Sequence, residues 1–134
     1  MSVSNASIVT APSSITVTGG TAVAFSSLGL ADGKQTLFVA ADTDQRIRRS
    51  IDVSVKPAKS SSSAPNGYTQ PRATLTLKKP KVLANGKITV ATLRVEMAYD
   101  VEYTQTEIQE MVDFGAQFFC DADFANFWKQ MSPQ

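Results

Sequence analysis

The chain has 134 residues, 43% of them apolar, with six prolines, seven glycines, one cysteine and no histidine. That length and apolar content suit one domain, residues 1–134, with a modest core. A lone Cys120 excludes an intrachain disulfide and a thiolate zinc site, and without histidine the usual metal ligand and general acid–base residue are missing, so neither catalysis, a metal nor a cofactor is expected. The first residues lack the basic start and apolar run of a signal peptide, and no window is apolar enough for a membrane span, so no membrane partner is expected.

The net charge of +1 conceals a sharp segregation. Residues 46–95 carry eleven lysines and arginines against Asp52 alone, whereas residues 96–134 carry eight carboxylates against Lys129. A basic middle and an acidic end suggest a face that meets a polyanion, with a solvated surface as the plain alternative.

Taken in chain order, Thr16 to Thr18, Gly19-Gly20 and Thr21 to Phe25 predict a hairpin within an N-terminal region, residues 1–26, because paired glycines supply the positive φ of a tight turn. Asp32-Gly33 predicts a second turn, and Lys34 to Ala40 a third strand in a sheet covering residues 34–103. The run from Ile47 to Lys56 alternates: Ile51, Val53 and Val55 fall on one side, and Ser50, Asp52, Ser54 and Lys56 on the other. Pro57 should stop it. The small, polar stretch from Lys59 to Gly67 predicts a mobile connection.

Arg72 to Lys78 alternates likewise, with Ala73, Leu75 and Leu77 inward, Thr74 and Thr76 outward, and Pro80 expected to end the strand. Beyond an Asn85-Gly86 turn, a long strand sets Leu93, Val95, Met97, Tyr99 and Val101 opposite Thr92, Arg94, Glu96 and Asp100. Three adjacent strands thus share a face of hydroxyls and cations, for which nucleic acid is the candidate ligand. In residues 105–131 the period becomes helical. Thr104 or Thr106 is the candidate cap, with Glu107 completing a capping box after the former. Ile108, Met111, Val112, Gly115, Phe118 and Phe119 form one stripe. After a break at Cys120-Asp-Ala-Asp123, Phe124, Phe127, Trp128 and Met131 form a second, which Pro133 should close.

In its order and spacing, from "TGGT" at 18–21 through "DGKQTLFVA", "SIDVSVKP" and "RATLTLKKPKV" to "KQMSP", the chain resembles the coat proteins of single-stranded RNA bacteriophages, the levivirus family. "DGKQTL" could match either the first or the second hairpin turn of that pattern, and the second avoids deleting a strand.

The resemblance implies an α+β fold, an N-terminal hairpin and antiparallel meander followed by two helices, in an intertwined homodimer that assembles into an icosahedral shell around genomic RNA. Such a shell would be a virion component built in the bacterial host cytoplasm. Dimer contacts are expected at Val95, Met97, Phe118, Phe119, Phe124, Phe127 and Trp128. The family's RNA-contacting positions fall on Ser54, Lys56, Arg72, Thr74, Thr76, Thr92 and Arg94, bordered by Asp52 and Glu96.

Lys56, Arg72 and Arg94 would hold phosphates, and the hydroxyls would line a pocket for an unpaired base; Thr74 and Thr76 are also simply good strand residues. Thr92 stands where relatives stack a tyrosine on a base, and Thr76 where they often carry lysine, so RNA packaging is a firmer expectation than recognition of a repressor hairpin. No disulfide cross-links are expected in the 81–87 loop. Three other readings stay open. A cellular single-strand RNA module would need exposed aromatics for stacking. A hydrolase could use Asp100 and Glu102 but has no partner nucleophile. A shell or fibre subunit could assemble without RNA.

Overall fold

The computed structural model describes residues 4, 6–8, 10, 12 and 18–132. Its contacts divide the chain into two compact units, Gly20–Val101, and Met1–Gly19 together with Glu102–Gln134.

The first unit is a five-stranded antiparallel meander. Strands β1 (Phe25–Ala31), β2 (Lys34–Val39), β3 (Ser50–Lys56), β4 (Arg72–Val82) and β5 (Ile88–Ala98) lie side by side in chain order. β1 and β2 are joined at Asp32 and Gly33, whose φ values of 51° and 71° are those of a tight hairpin turn. Gly33 is required for a second reason: a Cβ there would lie 2.8 Å from the Val55 carbonyl oxygen. Its own carbonyl accepts from Val55 N at 2.9 Å, which fastens the turn to β3.

The N-terminal expectation needs revision. Residues 21–24 lie outside any strand and the strand begins at Phe25, so Asp32-Gly33 is the first turn of the described sheet and not the second. Glycines 19 and 20 do have positive φ, but Thr16 and Val17 of the expected hairpin fall outside the described residues. β1 was hard to read because its register shifts between Ser27 and Leu30, around Gly29 at φ 122°, and a bulge erases the alternation that marks a strand.

The connections are tied down. Between β2 and β3, Arg49 donates to Asp42 through its backbone N and two guanidinium nitrogens at 2.9–3.1 Å, and Arg46 grips Asp44. This clamp delays β3 until Ser50, three residues after the expected start. The 57–71 connection is itself hydrogen-bonded: Ser60 bridges Tyr68, Thr69 N donates to Lys59 O at 2.7 Å, and Asn66 Nδ2 reaches Asp100 Oδ1 at 3.1 Å.

Pro80 does not end β4; it lies within the strand, opposite Val90. β3 stops at the Ser50–Lys78 pair, so beyond Lys78 one side of β4 is open and a residue without an N–H leaves no ladder bond unmade. The β4–β5 hairpin therefore projects past the rest of the sheet, to a turn in which Leu83 N donates to Lys87 O at 2.7 Å.

One face of the sheet is apolar. Ile51, Val53 and Val55 stand beside Leu77, Leu75 and Ala73, and these beside Leu93, Val95 and Met97. Only Val39 among the described apolar side chains is buried, whereas Val55, Leu75 and Val95 remain 59%, 38% and 41% exposed.

In the second unit Thr104 caps α1 (Gln105–Cys120), its hydroxyl accepting from Glu107 N at 3.3 Å. Asp121 ends α1 and caps a single 3-10 turn, Ala122–Phe124, which leads into α2 (Ala125–Gln130). The aromatics form one cluster. Phe119 stacks on Trp128 at 4.8 Å, Phe118 meets Phe124 edge-on at 5.2 Å, and Trp128 Nε1 donates to the Phe118 carbonyl at 2.7 Å. Phe119, Phe127 and Trp128 nevertheless stay 38–48% exposed. Met131 closes α2 in the left-handed region, and Pro133 is outside the described residues. No described helix is long and apolar enough to cross a membrane.

Candidate nucleic-acid interface

Because side chains alternate along a strand, cross-strand partners share a face, and the register alone places every polar residue of the sheet. On the side opposite the apolar face, Ser26, Phe38, Ser50, Lys78 and Thr92 form one row. Thr36, Asp52, Thr76 and Arg94 form the next, then Lys34, Ser54, Thr74 and Glu96, and finally Lys56, Arg72 and Ala98. All seven sequence-derived RNA positions, Ser54, Lys56, Arg72, Thr74, Thr76, Thr92 and Arg94, lie on this face, and Asp52 and Glu96 border them as expected.

Two carboxylates organise the cations. Glu96 receives Arg72 at 2.7 Å and Arg94 at 3.6 Å, and Asp52 receives Lys78 at 3.1 Å and the Thr36 hydroxyl at 2.9 Å. The Thr36 hydrogen bond is the main cause that holds the Asp52 carboxyl below the ordinary carboxylate range; partial burial opposes it, and Lys78 adds to it. Lys34, Lys56, Arg72, Lys78 and Arg94 thus face two carboxylates, and the face stays cationic after internal pairing. The paired side chains are 33–66% exposed, so these ion pairs are worth at most about 1 kcal/mol each and can be exchanged for phosphate contacts.

Between the strands lies a shallow depression of about 260 Å³, lined by Lys34, Thr36, Asp52, Ser54, Thr74 and Thr76 among others. It is smaller than the ~300–1,000 Å³ of drug-sized sites and is edged by hydroxyls, which suits one planar group held by hydrogen bonds.

The structure also corrects the extent of the basic surface. Lys79 and Lys81 pair with Ala91 and Thr89 and so point to the side of the sheet that carries Leu77 and Leu93. Arg46 and Arg49 are spent on Asp44 and Asp42. Conversely, Lys34, Thr36 and Phe38 of β2 belong to the polar face. Sequence reasoning missed them because β2 is apolar on both sides, with Leu37 and Val39 one way and Phe38 the other. The "KQT" start of the strand was the available signal.

Of the expected dimer residues, Val95 and Met97 lie on the apolar face of β5, and Phe118, Phe119, Phe124, Phe127 and Trp128 form the aromatic cluster of α1 and α2. β5 is the last strand of the sheet, with no neighbour on its outer side among the described residues. No described group of histidine, cysteine or carboxylate side chains could hold a metal ion.

No protein-family model and no curated protein sequence matches the chain. Solved structures do. The virus-like particle of bacteriophage GQ-907 superposes with a TM-score of 0.86 at 24% sequence identity, covering 98% of both chains. The virus-like particle of bacteriophage AVE019 superposes at 0.65 and 9% identity, covering 82% of this chain and 84% of that one. The meander followed by two helices is thus the fold of these particle-forming chains.

Proposed function

We propose that this chain is the coat protein of a single-stranded RNA phage. In this reading it dimerises, assembles into an icosahedral shell and packages RNA against the polar face of its sheet, and it does no catalysis and uses no cofactor. The observation that carries the reading is the near-complete superposition on the GQ-907 particle chain combined with a cationic, hydroxyl-lined face on the same sheet.

Dimerisation is supported by what the single chain leaves exposed. The open β5 edge offers eleven residues of backbone to a second copy of itself, related by a two-fold axis. Val95 and Met97 on that strand, together with the half-exposed aromatic cluster of the helices, supply the apolar surface that such a dimer would bury. RNA would be held mainly through phosphate contacts from Lys56, Arg72 and Arg94, with Ser54, Thr74 and Thr76 lining the depression that would receive a base and Thr92 beside Lys78 on the same face. Repression through a hairpin operator is a further role open to that pocket. The particle would be built in the host cytoplasm and found in the virion.

Electron microscopy of the purified full chain tests this. Monodisperse closed shells containing nuclease-protected RNA are expected; shells without RNA would leave a purely structural subunit, and a soluble monomer or dimer that binds RNA without assembling would leave an RNA-binding module.

A further inference from the structure

The chain has five arginines, and four of them are committed to carboxylates: Arg46 to Asp44, Arg49 to Asp42, and Arg72 and Arg94 to Glu96. Arg48 is the exception among the described residues. Its guanidinium carbon lies 4.1 Å from the centroid of the Phe38 ring, well within cation–π range. Phe38 belongs to the polar face, in the row that runs through Ser50 to Lys78 and Thr92, so Arg48 lies over that face too.

A planar cation resting on a ring, with no anion beside it, has its charge uncompensated and one face of its plane turned away from the ring. Bases of single-stranded RNA stack on such guanidinium planes as well as on aromatic rings. Lys78 lies in the same row, two strand spacings or roughly 10 Å from Phe38, close enough to hold a phosphate of the same short segment.

We infer that Arg48, held over the Phe38 ring, is a second base-stacking site on the polar face, on the β2 side of the Lys78 row and apart from the depression between Thr36 and Thr76. This inference rests on the RNA-binding reading of the face. Phe38 acts as a positioning residue: it fixes the guanidinium plane and touches no base. The site takes any unpaired base, because stacking reads the π-face and not the hydrogen-bonding edge, and it favours purines for their larger overlap. It would extend the RNA path from β3–β5 onto β2, where Lys34 and Thr36 already line the depression.

The test compares a fluorescein-labelled short oligoadenylate with an abasic ribose-phosphate oligomer of equal length, each titrated with the full-length protein in an anisotropy assay. Arg48→Lys keeps the charge and loses the plane. It is expected to weaken oligoadenylate binding about fivefold or more while leaving the abasic oligomer and the salt dependence unchanged. Phe38→Leu, which frees the guanidinium without removing it, should lower the same oligoadenylate-to-abasic ratio. An unchanged ratio in both variants, or equal losses on both oligomers, overturns the stacking site. Charge reversal of Lys56, Arg72 and Arg94 in the same assay separates the two levels: if it weakens both oligomers while Arg48→Lys changes nothing, only the stacking site falls, and if neither matters the RNA reading of the face falls with it.

Discussion

Replacing Lys56, Arg72 and Arg94 together tests how the polar face holds RNA. Each phosphate neutralised on a single strand contributes about −0.7 to the slope of log affinity against log salt. Three lost contacts should therefore flatten the slope by about 2, so that the parent loses roughly twentyfold more affinity than the variant between 50 and 200 mM salt. The fold should survive, because the three side chains project from the face opposite Leu75 and Val95, and the exposed Arg72–Glu96 and Arg94–Glu96 pairs contribute at most about 1 kcal/mol each. Substitution by glutamate would crowd Glu96 with like charge, so a triple glutamine variant serves as the neutral companion. Filter binding across a salt series reads both variants. If the glutamine variant is folded, by far-ultraviolet circular dichroism, and binds RNA with the parent slope, the contacts lie elsewhere and the face is ordinary solvated surface.

Gly33→Ala should destabilise the sheet by about 1–2 kcal/mol or more, since the left-handed conformation at φ 71° already costs a side-chain-bearing residue that much and the new Cβ would meet the Val55 carbonyl at 2.8 Å; a melting temperature equal to that of the parent would contradict it. Asp42, with its carboxyl lowered to about 2 chiefly by the Arg49 side-chain hydrogen bonds, stays charged in the folded chain at pH values where it would be protonated unfolded. Its contribution is fully present above its ordinary value of 3.8 and is lost as pH falls toward about 2, so Asp42→Asn should flatten the drop in melting temperature across that window. With Val55, Val95, Phe119, Phe127 and Trp128 all more than a third exposed, the chain should sediment as a dimer or larger at micromolar concentration, and a compact monomer there would refute the dimer.

How far the residues disclosed this structure depends on where a strand has one wet and one dry side. β3, β4 and β5 alternate cleanly, and from that alternation the polar face could be read; the seven proposed contact residues came from the coat-protein resemblance, and the register sets all of them on that face. Of the two caps the residues offered, Thr104 and Thr106, the structure takes Thr104, the hydroxyl three residues before Glu107. β1 was not legible, since the bulge at Gly29 breaks the period, and β2 only in part, since Phe38 makes it apolar on both sides. Pro80 misled for a tertiary reason: whether proline fits a strand depends on where the neighbouring strand ends, and the early end of β3 is invisible in β4 itself. The tally of charge along the chain also overstated the basic surface, because Arg46 and Arg49 are paired with the loop carboxylates Asp44 and Asp42 and Lys79 and Lys81 take the other face.

Ultraviolet cross-linking of RNA inside intact particles, followed by mass spectrometry of the digested protein, probes the proposed face without altering it. Adducts should concentrate on peptides carrying residues 50–56, 72–78 and 92–96, with residues 34–36 of the depression and residue 48 of the stacking site joining them. Adducts confined to residues 105–131, or on residues 51, 53, 75 and 95 of the apolar face, would contradict the account.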